Sequence, residues 1–260
     1  MNALSTYVLN VRLAIRTSLG DRTNFALQVL GMVVNDGFFL ALWFLFFAGF
    51  HSVGGWRLAD TALLIGMMMT LFAVAGIFFG GYRDMAATIL KGELDALLTQ
   101  PRTVLLRLLA RESIPSAWGD LVVGVILIAT FGRVAPHEVP TVMLGLAVGF
   151  LVYVSSAVAY ASMAFWFAGA RSFARDLTDF LVLFSSYPGS IYTGATRVVA
   201  YTLLPAGFVV LAPIAFLRAP GAETFAFMLA GALVYSAIAI ALFHLGLRRY
   251  RRGEVQAGLN

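Results

Sequence analysis

Long apolar stretches separated by short polar segments dominate this chain. A helix needs about 20 predominantly apolar residues to cross the hydrocarbon core of a bilayer. Six stretches approach or exceed that length, so the pattern predicts six transmembrane helices. The predicted spans are residues 26–49, 61–81, 115–134, 141–169, 177–196 and 222–246.

The amino-acid composition also indicates a membrane protein. Hydrophobic residues make up 60% of the 260 residues and charged residues only 12%, whereas an ordinary soluble domain carries about 25% charged residues. Since no domain linker or internal repeat is visible, we expect an all-α integral membrane protein formed by one transmembrane domain, residues 1–260.

Residues 1–25 have the pattern of a helix that lies in the membrane interface. Apolar residues recur at helical spacing, with Arg12 and Arg16 beside that stripe. Such a helix places its apolar face in lipid and its arginines at the headgroups. The stripe consists of Leu4, Val8, Val11, Ile15 and Leu19.

The stretch from 177 to 217 is apolar with Arg197 as its single charged residue after Asp179, but Pro188, Pro205 and Pro213 interrupt it. Two full spans here would make seven and would place the arginines of 248–252 outside the cell. We therefore predict one span followed by an outer re-entrant segment, residues 197–220. Non-helical backbone at membrane depth is tolerated only where protein or a water-filled cavity surrounds it.

Positively charged residues are distributed unevenly between the segments on the two predicted sides of the membrane. Lys and Arg concentrate in segments that flank the spans on the cytoplasmic side of membrane proteins. Both termini are therefore expected in the cytoplasm, and the basic composition is expected to set orientation rather than to bind nucleic acid. Of the 18 Lys and Arg residues, segments 1–25, 82–114, 170–176 and 247–260 hold all except Arg57, Arg133, Arg197 and Arg218.

Several catalytic motifs are missing from the sequence. The only lysine, Lys91, lies in "ILKGEL", so the chain cannot supply the Gly-Lys-Ser/Thr of a nucleotide-binding P-loop. There is no cysteine, and the three histidines are scattered. We expect a protein that is not an enzyme and holds no metal or cofactor of its own.

Segment 82–114 is unusually polar for its position between two spans. Asp84 is a plausible N-cap for a helix that would end before Pro101, and a second amphipathic helix would begin near Val104. The segment is either a connector that lies on the membrane surface or a docking surface for a cytosolic partner. Its length and the acidic residues of the first helix favour docking, since helix–helix connections are usually short.

Asp36 lies inside the first predicted span, next to Asn35. A carboxylate within a membrane is costly and indicates a functional site by default. The alternative is a structural carboxylate that is hydrogen-bonded to a neighbouring helix or lies near the interfacial end of a tilted span. If Asp36 carries protons, the chain could be a proton-coupled secondary antiporter.

Three motifs that follow one another along the chain resemble those of a known protein family, and the resemblance covers nearly the whole chain. They are "GELDALLTQPR" between the second and third spans, "FSSYPGSIY" from Phe184 to Tyr192, and "LLPAGFVVLAP" from Leu203 to Pro213. The chain resembles ABC-2-type transporter permeases, in particular the branch of about 260 residues with six spans.

The resemblance implies an ATP-driven exporter of the bacterial cytoplasmic membrane. Two copies of a separate cytosolic ATPase would supply ATP and Mg²⁺ chemistry, and a second permease, either the same chain or a different one, would complete the pathway. It implies export but does not identify the cargo. The coupling helix that contacts the ATPase would comprise Gly92, Glu93, Leu94, Asp95, Leu97 and Leu98.

A substrate pathway is the other candidate site. Hydroxyls and aromatic rings surround the helix-distorting Pro188, and such a surface would suit an amphiphilic, partly aromatic cargo. The glycine pairs Gly76/Gly80 and Gly145/Gly149 indicate close helix packing, within the chain or, for the first pair, between two permeases. The candidate pathway residues are Asp36, Phe184, Ser185, Ser186, Tyr187 and Tyr192.

Overall fold

The described part of the chain is helical throughout. The computed structural model describes residues 3–52, 54–99 and 103–253, and no β-strand occurs in these ranges. The predicted helix end at Gln100–Pro101 lies outside them. The α-helices are α1 Ala3–Ser18, α2 Arg22–Gly49, α3 Leu58–Phe79, α4 Met85–Leu90, α5 Asp95–Leu98, α6 Val104–Leu109, α7 Ala117–Thr130, α8 Val139–Ser162, α9 Ala170–Ser185, α10 Gly194–Tyr201, α11 Ala212–Arg218 and α12 Ala222–Arg251.

Within the described ranges, four helical segments are long and apolar enough to cross a membrane. They correspond to the first, second, fourth and sixth predicted spans, so the prediction of an all-helical membrane protein is confirmed. The third predicted span, 115–134, corresponds to the 14-residue α7, which at 1.5 Å per residue is about 21 Å long. The four segments are Arg22–Gly49, Leu58–Leu90, Pro136–Phe165 and Ala222–Arg251.

The fifth predicted span, 177–196, is not a single helix. Its helical part, α9, begins earlier than predicted, at Ala170, because residues 170–176 contain no helix breaker and belong to the same helix. It ends at Ser185, since Pro188 disfavours helical backbone at the residue before it. A short 3₁₀ turn, Gly189–Ile191, then leads to the separate helix α10. The buried side of α9 consists of Ala170, Ala174, Leu177, Leu181 and Ser185.

The segment predicted to re-enter the membrane, 197–220, consists of the end of α10, a π-helical turn and α11. The π-helical turn spans Gly207–Leu211 and continues directly into α11, which carries Pro213 near its start. Because the turn continues into α11, Pro213 lies inside one continuous helical stretch, where proline cannot donate a backbone hydrogen bond. The helix nevertheless continues past Pro213 to Arg218.

Helices α3 and α8 form the centre of the bundle. Leu64, Met67 and Leu71 of α3 are at most 1% exposed, and so is Val152 of α8. Helix α7 packs along α3, and α9, α11 and α12 pack around α8. Helix α2 lies at the periphery, and Leu27, Phe38 and Leu42 are among its strongly exposed side chains.

Glycines allow the helices of the core to approach closely. A Cβ atom on Gly149 of α8 would lie 2.1 Å from the backbone oxygen of Val209 in the π-helical turn. On α3, a Cβ atom on Gly76 would lie 2.9 Å from Cβ of Ala117. Packing within the chain therefore occupies both predicted glycine pairs, including Gly76/Gly80, where Gly80 faces the backbone of Glu112.

Helix α1 packs on the end of α3 near the segment predicted to be cytosolic. Tyr7 donates a hydrogen bond to the carbonyl oxygen of Phe78 at 3.0 Å, and its ring contacts Phe79. Val11 is buried, whereas Leu4 and Val8 are 71% and 55% exposed. The predicted apolar stripe is therefore divided between contact with the bundle and an outward-facing apolar surface.

Candidate coupling surface and substrate pathway

The predicted coupling residues lie on the turn from Gly92 to Leu98, which comprises the break after α4 and the short helix α5. The first helix of this segment was expected to continue to Gln100, but α4 ends at Leu90, because Gly92 adopts left-handed backbone with φ 75°. The N–H of Glu93 binds the carbonyl oxygen of Thr88, and the N–H of Gly92 binds that of Ile89. These two bonds form the Schellman motif, which ends helices at glycine.

The turn presents two carboxylates beside one deeply buried anchor. Glu93 and Asp95 are exposed, whereas Leu94 between them is 0% exposed and belongs to the main hydrophobic core. Leu97 and Leu98 of α5 are half-buried against that core. The surface therefore carries negative charge on a backbone that is fixed to the bundle.

Side chains from two other elements hold this turn. Arg111 forms an ion pair with Glu93 at 2.9 Å and also binds Oγ1 of Thr88 at 3.2 Å. The hydroxyl of Tyr250, at the end of α12, donates to Oδ1 of Asp95 at 3.0 Å. The ion pair is exposed and contributes about 0–1 kcal/mol, but together the contacts connect the turn to both the chain after α6 and the last transmembrane helix.

A cavity of about 540 Å³ lies beside this surface, between α1 and the segment that contains α6. Leu13, Leu97 and Arg107 line it, and Arg107 also donates to the carbonyl oxygen of Leu97 at 3.0 Å. Glu112 also lines the cavity. Burial raises the pKa of the Glu112 carboxyl, and the neighbouring Asp84 raises it further.

The candidate pathway residues after Leu183 gather at the end of α9. Phe184 and Tyr192 stack with ring centroids 5.6 Å apart, and the Tyr192 hydroxyl donates to the Phe184 carbonyl oxygen. Ser185 and Ser186 are buried, and both hydroxyls donate to the carbonyl oxygens one turn earlier in α9. Tyr187 is 40% exposed, with its ring 6.2 Å from that of Trp43 in α2.

Asp36 lies at a different place, in the interface between α2 and α7. Its side chain is 2% exposed, and its carboxyl group interacts with that of Asp120 and with the amide of Asn35. The structure thus groups five of the six pathway candidates at the end of α9 and places the sixth, Asp36, beside Asp120.

Comparison with known protein families assigns the chain to one of them. The model of a family described as "ABC-2 family transporter protein" matches residues 33–253, which is most of the chain. The protein belongs to the ABC-2 transporter family. No curated protein and no solved structure matches it.

The matched range of this ABC-2 protein contains the candidate sites. It begins within α2, before Asp36, and ends after Tyr250, so the turn around Gly92 and the cluster at the end of α9 both lie inside it. Helix α1 precedes the match. The family supports a membrane-embedded transport subunit, which agrees with the resemblance seen in the sequence.

Metal binding has no structural support among residues 3–52, 54–99 and 103–253. In these ranges, no three His, Asp or Glu side chains are grouped so that they could hold a metal ion.

Sequence reasoning missed two residues of this ABC-2 protein that the fold brings to the candidate sites. Tyr250 stands in "RRYRR", which drew attention only for its charge, and it is 155 residues from its partner Asp95. Asp120 interacts electrostatically with Arg83, but its direct partner is Asp36. A polar residue in an apolar helix was the only signal for Asp120.

Proposed function

We propose that this chain is the permease subunit of an ATP-driven exporter in a bacterial cytoplasmic membrane. It would form the pathway with a second permease, the same chain or another, and would contact two copies of a cytosolic ATPase. The family match over residues 33–253 is the observation that carries this proposal.

The turn at Gly92–Leu98 has the properties that a coupling surface requires. Glu93 and Asp95 offer negative charge to a partner, and electrostatic complementarity favours docking of a basic groove. Because Leu94 is fully buried and Tyr250 binds Asp95, a force on the turn reaches the core and α12. Closure of the ATPase pair would then move the transmembrane helices.

The cluster at the end of α9 is our proposed site for cargo contact. Its serine hydroxyls already bind backbone oxygens, so recognition would depend on the stacked rings of Phe184 and Tyr192 and on the exposed Tyr187. Aromatic surfaces of this kind bind apolar and aromatic groups. An amphiphilic, partly aromatic molecule remains the class of cargo that this surface favours.

Reversal of charge at the turn tests the coupling proposal. In the Glu93→Lys, Asp95→Lys variant, a basic ATPase groove would be repelled and the hydrogen bond from Tyr250 lost. We expect co-purification of a P-loop ATPase from native membranes in mild detergent to fall at least tenfold, as measured by quantitative mass spectrometry.

The matched control is Asp176→Lys, which makes the same type of change on the exposed side of α9. It should leave the amount of ATPase unchanged, and both variants should be inserted in the membrane as well as the wild type. Full recovery of the ATPase with the double variant would refute the assignment of the turn. Absence of any ATPase from the wild-type sample would refute the exporter proposal itself.

A further inference from the structure

Asp36 is exceptional within α2, because this helix is otherwise poorly buried. Asp36 is the buried residue of the helix, 2% exposed, whereas the apolar side chains Leu30, Val34 and Phe38 around it are between 58% and 72% exposed. The helix is attached to the bundle mainly through α7. A polar side chain therefore occupies the contact that fastens a peripheral helix.

The α2–α7 contact brings two carboxyl groups together. Gly119 allows it, since a Cβ atom on this residue would lie 2.8 Å from the backbone oxygen of Val29. The next residue, Asp120, interacts with Asp36 through its carboxyl group. One oxygen of Asp36, Oδ2, is buried without a hydrogen-bond partner.

The two carboxyl groups of this pair have different charged neighbours. Asn35 interacts with Asp36 and carries no charge, whereas the guanidinium of Arg83, after the end of α3, interacts electrostatically with Asp120. Arg83 in turn interacts with Tyr82. One positive charge therefore faces Asp120, and only an amide and the second carboxyl group face Asp36.

Two carboxylates in contact away from water cannot both remain ionised. One proton shared between them removes the repulsion and provides the donor that a carboxyl–carboxyl hydrogen bond requires. The neutral form is favoured at Asp36, because a buried carboxylate oxygen without a partner costs much more than a buried carbonyl oxygen. The charged form is favoured at Asp120, beside Arg83.

We propose that Asp36 and Asp120 form a proton-binding site that fastens α2 to α7. Asp36 holds the proton and donates it in a hydrogen bond to the Asp120 carboxylate, whose charge is balanced by Arg83. Loss of the proton places two negative charges in contact and weakens the attachment of α2. The ligand is the proton alone, and the site requires no ATPase.

Infrared spectroscopy of the wild-type chain in a maltoside detergent, which contains no carbonyl group, tests this proposal. A protonated carboxylic acid has a carbonyl stretch that is separate from the carboxylate bands. We expect one such band at pH 7 that disappears completely in Asp36→Asn, since the asparagine amide can donate to the Asp120 carboxylate in place of the acid. Asp120→Asn should keep the band and shift its frequency, because the acceptor changes.

Two controls make the assignment specific. Glu112→Gln removes the carboxyl group whose pKa is raised by burial beside α6, and Asp176→Asn removes an exposed carboxyl group; neither substitution should remove the band. A wild-type spectrum without the band at pH 7 would overturn the proposal whether or not any variant folds. A band that survives in Asp36→Asn would also overturn it.

The pH dependence of stability provides a second measurement. The folded protein holds a proton at this site that the unfolded chain releases at neutral pH, so stability falls as pH rises. The thermal midpoint of the wild type should therefore decrease between pH 6 and pH 9 more steeply than that of Asp36→Asn. Equal slopes in the two proteins would contradict the proposed site.

Discussion

At the scale of single residues, Gly149 shows how closely backbone elements of this ABC-2 protein approach each other. The missing side chain lets α8 contact the π-helical turn at Val209, where a Cβ atom would overlap a backbone oxygen. A backbone oxygen cannot move aside as a flexible side chain can. Gly31 of α2 is the opposite case, with no atom within 4 Å of a Cβ atom placed there.

We therefore expect Gly149→Ala to destabilise the protein by about 1–3 kcal/mol, because overpacking forces backbone shifts. The control Gly31→Ala adds the same methyl group to an open position in a helix and should leave stability unchanged or slightly higher. Thermal unfolding of the purified variants in one detergent measures both. Equal midpoints for the two variants would contradict the close contact between α8 and the turn.

At the scale of elements, α5 depends on contacts from distant parts of the chain. A four-residue helix cannot be stable alone, because helix nucleation is unfavourable. It is held by the buried Leu94 and by the hydrogen bond from Tyr250 of α12 to Asp95. The ring of Tyr250 also packs near Phe165, with centroids 6.3 Å apart, so removal of the hydroxyl alone leaves the packing in place.

Tyr250→Phe should therefore loosen α5 without unfolding the bundle. A hydrogen bond to a charged group contributes about 1.5–3 kcal/mol, so its loss corresponds to roughly a tenfold or greater increase in the exchange rate of the α5 amides. Hydrogen exchange with mass spectrometry over residues 93–99 measures this change. Tyr187→Phe, at the end of α9, is the control and should leave exchange in that peptide as in the wild type.

Helix α9 shows how an element is set by both its sequence and its surroundings. Its charged residues Arg171, Arg175 and Asp176 lie on the exposed side, while alanines and leucines pack against the bundle. Its charged residues lie in its first part, which distinguishes α9 from the helices that are long and apolar enough to cross a membrane. Its division from α10 at Pro188 creates the aromatic cluster that we propose for cargo contact.

At the scale of the whole molecule, the membrane topology decides on which side of the membrane each of these elements lies. The charge distribution predicts that the turn at Gly92 and both termini are cytoplasmic. The re-entrant assignment adds that the chain returns to the outer side after α11. The alternative of a seventh crossing would reverse the position of the residues that follow α11.

Labelling of single cysteines with a membrane-impermeant maleimide tests this topology in intact cells, since the natural chain contains no cysteine. We expect His137→Cys and Ala219→Cys to react from outside, and Ala96→Cys to react only after the membrane is permeabilised. All three positions are exposed. Protection of Ala219→Cys in intact cells would refute the re-entrant assignment while leaving the family membership untouched.

Much of the architecture could be predicted because apolar length and charge are local properties of the chain. The spans around α2, α3, α8 and α12 were recognisable since each contains a long apolar stretch, and the resemblance carried by the motif at Gly92 agrees with the family match. The break of the first coupling helix at Gly92 was missed, because a glycine within a helical pattern is tolerated in many proteins.

The class of this protein could be read from its sequence alone: a helical membrane protein of the ABC-2 family, in which Lys91 is the only lysine and no P-loop occurs. Tertiary structure alone decided which residues meet, above all Asp36 with Asp120 and Asp95 with Tyr250. The physical reason is that hydropathy records the preference of a segment for lipid, whereas contacts depend on how helices rotate and cross. Small residues such as Gly119 and Gly149 set those crossings through distances that no local pattern contains.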